Sequence, residues 1–175
     1  MERTLAIIKP DAVNRSLVGE ILTRFERKGL KIVGMKMQHL QPYTLKEHYA
    51  QHKDKDFYNE LILYMSSIPS IILVLEGKEV VEVVRRMIGS TFGREAQPGT
   101  IRGDYSVSNQ ANLVHAAENS EKAVEEINRF FKPEELSDYN KMNFDWIYAR
   151  TEKGTVNSKK KKKVFLKNFK ANFYF

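Results

Sequence analysis

The alternation of short apolar runs with segments of helical spacing constrains the fold of this chain more than any other feature. Residues 4–8 form a short apolar run that stops at Lys9-Pro10-Asp11, as expected where a buried strand leaves a sheet at a proline. Later runs with strand character lie at residues 31–37, 71–75 and 112–115. The sequence therefore predicts four strands, with Lys9 presented at the end of the first.

Helical spacing fills the intervals between these strands. Val18, Ile21, Leu22 and Phe25 follow i, i+3, i+4 and i+7, and Gly29 stands where a helix stop is wanted, so a helix is predicted over residues 17–28. Further helical segments are residues 44–67, broken near 53–56, residues 80–88, ended by Gly89, and a helix capped by Ser120 whose Ala123, Ile127, Phe130 and Phe131 face the core. A long irregular stretch, residues 90–108, separates the last two.

The order of these elements is strand, helix, strand, helices, strand, helix, strand. This βαββαβ order predicts a ferredoxin-like α+β sandwich, with a four-stranded antiparallel sheet and helices covering one face. The uncovered face would favour assembly into oligomers.

Composition limits the class of protein. With 175 residues, 42% of them hydrophobic, the chain can form one domain with a substantial core plus a tail. It contains no cysteine, which excludes disulfides, Cys–zinc sites and thiol catalysis. The first residues lack the basic and apolar regions of a signal peptide, and the apolar run at residues 68–75 is too short to span a membrane. We therefore expect a cytoplasmic protein without a transmembrane segment.

The formal net charge of +7 is confined to the C-terminal end. Residues 1–150 hold 21 Lys+Arg and 21 Asp+Glu, whereas residues 151–175 hold 8 and 1. The lysine run at residues 159–163 predicts a solvated, disordered extension, and the alternative is binding to nucleic acid or to an anionic membrane. The predicted division is a domain over residues 1–149 and a Lys-rich extension over residues 150–175.

The four histidines differ in their surroundings. His39 and His48 are interpreted as structural, and His52, near a lysine-rich bend, is open between phosphate contact and plain solvent exposure. His115 ends an apolar strand, is followed by two alanines that leave space around the ring, and lies near a loop rich in Thr and Arg. It is a candidate phosphate-handling nucleophile, with a structural role as the alternative. Such an imidazole must be neutral and held in one tautomer, which requires a nearby acceptor.

The helix after His115 offers that acceptor. At 100° per residue, Glu126 borders the apolar face of this helix whereas Glu125 points away, so Glu126 is the better partner. Arg85, Thr91 and Arg102 supply charge and a hydroxyl suited to transferring phosphates, although each is also an ordinary solvated side chain. No Gly-rich lysine loop of the Walker type is present, so side chains and Mg²⁺ would hold the phosphates.

Five segments in the same order resemble motifs of the nucleoside diphosphate kinases. These enzymes move the terminal phosphate of a nucleoside triphosphate onto a nucleoside diphosphate through a phosphohistidine. The matching segments are residues 6–13 (AIIKPDAV), 17–21 (LVGEI), 98–104 (PGTIRGD), 112–115 (NLVH) and 145–148 (DWIY). They span roughly residues 3–149, and their colinearity is far more specific than any one of them.

The resemblance implies roles for individual residues. His115 would be the phosphorylated nucleophile, and Lys9 and Asn112 would contact the ribose 3′-hydroxyl, with Lys9 also neutralising the moving phosphate. Tyr49 would limit water near the phosphate path, and Phe57 would stack on the base, giving broad base specificity in a ping-pong cycle. Arg85, Thr91 and Arg102 would bind the nucleotide phosphates, with His52 as a helper.

The resemblance also implies a cofactor and a partner. Mg²⁺ would bridge the nucleotide phosphates and need few ligands from the protein, so no dedicated metal-ligating residue is predicted. Relatives with this pattern assemble as hexamers or tetramers, which makes a second copy of the chain the expected partner.

Two departures from the family pattern stand out. Ala117 replaces a serine whose hydroxyl bonds the active-site glutamate, which predicts a loss of roughly tenfold or less in rate at about 1 kcal/mol per hydrogen bond. Phe92-Gly93 replaces an Asn-Pro in the subunit-contact loop, so the sequence leaves the oligomer size open. The alternative to an enzyme is a nucleotide-fold binding protein tethered by its basic tail.

Overall fold

The computed structural model describes residues 1–152 of the chain. The expectations for the lysine run and for the extension beyond residue 152 lie outside the described residues. The chain divides into two compact units, Met1–Tyr139 and a second that begins at Asn140. The domain boundary at residue 149 stays a prediction.

The first unit contains the four strands and most of the helices. The strands are β1 (Glu2–Ile8), β2 (Lys31–Gln38), β3 (Ser70–Gly77) and β4 (Val114–Ala116). The helices are α1 (Pro10–Asn14), α2 (Val18–Arg27), α3 (Pro42–His48), α4 (Tyr58–Met65), α5 (Val80–Ile88), α6 (Ile101–Tyr105) and α7 (Ser120–Phe130). Short 3₁₀ turns lie at Ala50–His52, Gly93–Glu95 and Pro133–Glu135. In the second unit the described elements are α8 (Phe144–Ile147) and the turn Arg150–Glu152.

The strands form one antiparallel sheet in the order β2-β3-β1-β4. The two long crossovers, from β1 to β2 and from β3 to β4, each carry helices, as the βαββαβ pattern requires. This arrangement confirms the predicted fold class.

The helices differ from the expectation in one respect, because they cover both faces of the sheet and not one. On β1, Ala6 and Ile8 join a core with α2 and α5, whereas Leu5 and Ile7 join a second core with α3, α4 and α7. Strand side chains alternate between faces, so an uninterrupted apolar run at residues 5–8 is what a strand buried on both faces requires. The sequence analysis identified this run as a buried strand but did not infer that helices pack on both faces of the sheet.

Strand β4 covers Val114–Ala116, whereas the sequence predicted a strand over residues 112–115. Leu113 has φ of 72°, a left-handed conformation that removes it from an extended ladder, so β4 begins at Val114. The preceding residues 90–108 are also less irregular than expected, because Thr100 caps α6 by accepting a hydrogen bond from the Gly103 N–H at 3.1 Å.

Gly93, one of the two departures in the subunit-contact loop, lies in a tight approach. A Cβ at this position would stand 2.6 Å from the Ser106 carbonyl oxygen and 2.5 Å from its hydroxyl. A residue with a side chain here would displace the loop backbone, so glycine fits this path of the chain.

No helix within residues 1–152 is long and apolar enough to cross a membrane.

Candidate active site

One cavity of about 880 Å³ gathers every residue that the sequence nominated for chemistry or nucleotide binding. These residues are Lys9, Tyr49, His52, Phe57, Arg85, Thr91, Arg102, Asn112, His115 and Glu126. Three of them lie on the helices α5, α6 and α7, and the others lie on β4, in a 3₁₀ turn, at element ends or in loops, between residues 9 and 126. The volume lies within the range of small-molecule sites.

His115 and Glu126 form the centre of this cavity. Antiparallel pairing of β4 with β1 places His115 opposite Ile7, so the imidazole projects on the same face as α7. Glu126 lies on that helix, and its Oε2 is 2.9 Å from His115 Nε2. The predicted pairing of these two side chains is therefore present.

This contact defines the tautomer of His115. An ionised carboxylate only accepts hydrogen bonds, so Nε2 carries the hydrogen and Nδ1 keeps its lone pair. Burial, followed by the charges of Lys9 and Arg102, lowers the pKa of His115 to about 3. The ring is thus neutral, oriented, and has one free nucleophilic nitrogen. Burial raises the pKa of Glu126.

Lys9 and Asn112 form a second pair beside the histidine. The Lys9 ammonium donates to Asn112 Oδ1 at 2.6 Å, and the Asn112 amide donates to the carbonyls of Thr91 and Asn109 at 2.8 and 2.9 Å. Burial, followed by the charge of Arg102, lowers the pKa of Lys9 to about 8. The ammonium is therefore charged at neutral pH and held at a fixed position.

Arg102 is buried, and its guanidinium is hydrogen-bonded to three backbone carbonyls. Its guanidinium donates from Nε to the Asn112 carbonyl, from one terminal nitrogen to Val114 at 2.6 Å, and from the other to Gly89 at 2.9 Å. Burial, followed by the charge of Arg85, lowers its pKa to about 10. Arg102 is charged at neutral pH, and it clamps the backbone on both sides of Leu113.

Asp11 also holds the backbone at Leu113, and the sequence analysis did not identify it as a site residue. One carboxylate oxygen accepts the Leu113 N–H at 3.1 Å and the other accepts the Tyr64 hydroxyl, while the Lys9 N–H donates to the Leu113 carbonyl at 2.8 Å. A left-handed conformation costs a non-glycine residue about 1–2 kcal/mol. These hydrogen bonds hold Leu113 in it, between Asn112 and His115.

The other nominated residues lie toward the mouth of the cavity. Arg85, on α5, and Thr91, after it, are exposed, and Phe57, which precedes α4, is 46% exposed. The His52 ring is half-buried, with its centroid 5.6 Å from that of Phe57. An open aromatic ring and an exposed cation at the mouth can meet a ligand without displacing other protein groups.

His48, the last residue of α3, and Tyr49, which follows it, have their rings beside that of His115. The ring centroids of His48 and Tyr49 lie 4.6 and 5.9 Å from that of His115, both edge-on. The Tyr49 hydroxyl and both ring nitrogens of His48 are buried and make no hydrogen bond within the described chain. His48, which the sequence analysis interpreted as structural, also lines the cavity. Its position directly before the predicted site residue Tyr49 was the one indication in the sequence that it lies near the site.

Ala117 lies in an apolar setting. It is fully buried in a small cluster with Val81 and Ala123. Of the described residues, only His115 is hydrogen-bonded to the Glu126 side chain. The missing hydroxyl at residue 117 is thus not replaced by another donor to this carboxylate.

Comparison with known proteins now adds to this geometry. The sequence model described as nucleoside diphosphate kinase matches residues 2–136. The chain belongs to the nucleoside diphosphate kinase family. The match confirms the resemblance stated from the motifs and the predicted class of enzyme.

Relatives support the same assignment. The chain is 50% identical over 152 residues to a nucleoside diphosphate kinase of Pyrococcus horikoshii, covering 85% of this chain and 96% of that protein. It is 49% identical over 164 residues to one of Thermococcus kodakarensis, covering 90% and 94%.

Solved structures of the family share the fold. A nucleoside diphosphate kinase of Halobacterium salinarum in complex with CDP has a TM-score of 0.83 and 41% identity, over 85% of this chain and 99% of that one. A family protein of Babesia bovis has a TM-score of 0.82 at the same identity, over 85% and 100%.

Proposed function

We propose that this kinase transfers the γ-phosphate of a nucleoside triphosphate to a nucleoside diphosphate through a phosphohistidine at His115. The observation that carries the proposal is the 2.9 Å contact between His115 Nε2 and Glu126, in a cavity that also holds Lys9 and Arg102. A neutral imidazole with a free Nδ1, facing cations that attract phosphate, has the properties of a phosphoryl acceptor.

The reaction has two half-steps. Nδ1 of His115 attacks the γ-phosphorus, the bond to the bridging oxygen breaks, and the diphosphate leaves with the electron pair. The β-phosphate oxygen of a second diphosphate then attacks the phosphohistidine and restores the neutral imidazole. Glu126 accepts the Nε2–H throughout and stabilises the positive charge that develops on the ring.

Side chains around His115 would hold the nucleotide. Arg85, Thr91 and Arg102 would contact its phosphates, and Lys9 with Asn112 would contact the ribose 3′-hydroxyl and the moving phosphate. Arg102 retains donors beyond its three backbone contacts for this purpose. The fixed ammonium of Lys9 needs little reorganisation when negative charge arrives.

The base and the surrounding water would be handled at the cavity mouth. Phe57 would stack on the base, and His52 beside it would assist the phosphates. Tyr49 would shield the intermediate from water, since its ring lies edge-on to His115. A stacking contact accepts any base, so broad nucleotide specificity is expected. CDP in the halophilic relative is a ligand of the same chemical class.

Mg²⁺ would enter on the nucleotide. It prefers oxygen ligands, and Glu126 is already engaged by His115, so the phosphate oxygens would supply most of its coordination. When bound, the ion would offset part of the phosphate charge. The substrates are thus Mg-bound nucleoside triphosphates and diphosphates.

We further propose that the chain forms a homo-oligomer, a hexamer or a tetramer. Strand β2 is an edge of the sheet, and Met35 and Met37 on it are exposed. An edge strand with exposed apolar side chains favours pairing with another chain. Sedimentation velocity of the full chain measures the assembly. A cytoplasmic location stays a prediction from the absence of cysteine.

The test is incubation with γ-labelled ATP and Mg²⁺. An acid-labile, base-stable phosphoprotein that discharges on adding an unrelated nucleoside diphosphate, and that is lost in His115→Ala, supports the proposal. Full transfer by a folded His115→Ala variant would refute the mechanism. A folded wild-type protein that binds nucleotide without labelling would favour the alternative of a binding protein tethered by its basic tail.

A further inference from the structure

Three potential metal ligands meet at the floor of the cavity. One ring nitrogen of His48, one of His115 and a carboxylate oxygen of Glu126 all lie within 4.8 Å of one another. His48 and Glu126 are buried. Two imidazoles and one carboxylate form a ligand set that zinc enzymes use, with an open position left over.

The ring nitrogens of His48 are buried and without hydrogen-bond partners among the described residues, which favours binding of an ion. The His48 side chain is 8% exposed. Its ring lies edge-on to His115 with 4.6 Å between centroids. A buried polar group gains free energy from any ligand that satisfies it. The mechanism proposed above assigns no step to His48.

We propose that His48, His115 and Glu126 bind a divalent transition-metal ion of the zinc class, and that this ion inhibits phosphorylation of His115. The inhibition rests on the proposed function, whereas the metal site itself does not. Mg²⁺ is a poor competitor for the site, because it prefers oxygen ligands and octahedral coordination over imidazoles.

The distances allow coordination after a small movement. Ligand atoms about 2.0–2.2 Å from a tetrahedral zinc ion lie about 3.5 Å from each other. The ligand atoms lie within 4.8 Å of one another, so no pair has to close by more than about 1.5 Å, which is within reach of side-chain rotation. A neutral imidazole offers one nitrogen lone pair, and no described residue is hydrogen-bonded to either ring nitrogen of His48, so the ion displaces no protein contact there.

The charges nearby act in both directions. Lys9 and Arg102 repel a cation, whereas Glu126 attracts it. The site is therefore expected to be weaker than a dedicated structural zinc site and to load and unload reversibly.

Coordination blocks the nucleophile through either ring nitrogen of His115. An ion on Nδ1 occupies the attacking lone pair directly. An ion on Nε2 takes the position of the hydrogen now shared with Glu126, and that hydrogen moves to Nδ1, so the ring stays neutral but loses its nucleophilic nitrogen. Conversely, phosphorylation of His115 excludes the metal.

The test combines direct metal binding with phosphorylation, using the full chain. Co²⁺ is added without nucleotide, and its visible absorption reports tetrahedral coordination by nitrogen and oxygen. Zn²⁺ is then added before γ-labelled ATP and Mg²⁺. The matched variants are His48→Phe, which keeps an aromatic ring against His115, and His39→Gln, which removes an exposed histidine.

We expect the wild type and His39→Gln to bind Co²⁺ and to be inhibited by Zn²⁺, with recovery on adding a chelator. The zinc-free labelling rate of each variant is its own reference, and His48→Phe is expected to need at least about tenfold more Zn²⁺ than the wild type to halve that rate. His48→Gln replaces it if the phenylalanine variant does not fold. Equal inhibition of the His48 variants and the wild type would overturn the inference.

The two proposals fail separately. A folded, active kinase without Co²⁺ absorption refutes the metal site and leaves the proposed function intact. A protein that binds Co²⁺ through His48 but never labels His115, with or without zinc, refutes the proposed function and the inhibitory role while the site itself stands.

Discussion

Removing the Asp11 carboxylate should disturb the active site through the backbone of Leu113. In Asp11→Ala, the fully buried Leu113 N–H loses its acceptor at 3.1 Å and the Tyr64 hydroxyl loses its partner. Tyr64→Phe is the matched control, because it removes only the tyrosine hydrogen bond. The difference between the two variants isolates the hydrogen bond to Leu113.

The structure sets the size of that difference. A buried N–H left without an acceptor costs about 1–3 kcal/mol, whereas the tyrosine hydrogen bond to the carboxylate, which both variants lose, contributes about 1.5–3 kcal/mol. At about 2–4 °C per kcal/mol for a chain of this size, Asp11→Ala should unfold about 2–12 °C below Tyr64→Phe. The strain of about 1–2 kcal/mol at Leu113, with φ of 72°, is then opposed only by the contacts of the Lys9 N–H and Arg102, which favours relaxation of the segment.

Relaxation at Leu113 should slow chemistry more than it weakens binding. A loss of about 1–3 kcal/mol in the conformation that orients His115 corresponds to about 5- to 160-fold in the rate of phosphorylation. The assay is rapid-quench labelling by γ-labelled ATP with saturating nucleotide, alongside thermal unfolding and the nucleotide Kd.

The control for charge is the pH profile. Asp11 raises the pKa of Lys9 and of Arg102, so an effect exerted by charge alone would move the alkaline limb of the rate and leave the plateau unchanged. A positioning effect lowers the plateau itself. Identical unfolding temperatures and labelling rates in Asp11→Ala and Tyr64→Phe would refute the reasoning.

Three further outcomes are expected. Phe57→Ala should weaken nucleotide binding by about 1–3 kcal/mol to a similar extent for all bases, and titration calorimetry that found a loss confined to one base would contradict stacking. The pKa is lowered to about 3 at His115 and to about 8 at Lys9. We therefore expect kcat/KM to be constant from about pH 5 to about pH 7 and to fall above about pH 8, where Lys9 loses its charge. A decline of kcat/KM toward pH 5 would contradict a neutral His115. Ala117→Ser should raise the labelling rate by about tenfold or less by giving Glu126 a second donor, at about 1 kcal/mol per hydrogen bond, and slower labelling would mean that the apolar packing of residue 117 matters more.

Hydrophobic periodicity was sufficient to predict the helices whose conformation is decided by residues close to them in the sequence. The spacing of Val18, Ile21, Leu22 and Phe25 predicted α2 within a residue at each end, and the apolar positions of α7 face the core as expected. These helices bury one stripe, so periodicity along the chain carries the information. The Glu126 position followed from the same periodicity, and its carboxylate meets His115.

Elements whose conformation depends on distant partners were harder to predict. Nothing near Leu113 in the sequence indicates a left-handed residue, because the groups that hold it there are Asp11, Arg102 and the Lys9 backbone. Arg102 was predicted to face phosphate, yet three of its donors bind backbone carbonyls. Periodicity cannot report such contacts, since they join residues about ten to a hundred positions apart.

The sequence by itself determined the fold class, the family and the set of residues that meet in the cavity. It did so because hydrophobic period, turn residues and colinear motifs are properties of the order of residues. Only the tertiary structure decided that helices cover both faces of the sheet, that Asp11 and Arg102 hold Leu113, and that His48 stands beside His115 and Glu126. These features are distances between segments far apart in the chain, and such distances are set when the two cores pack.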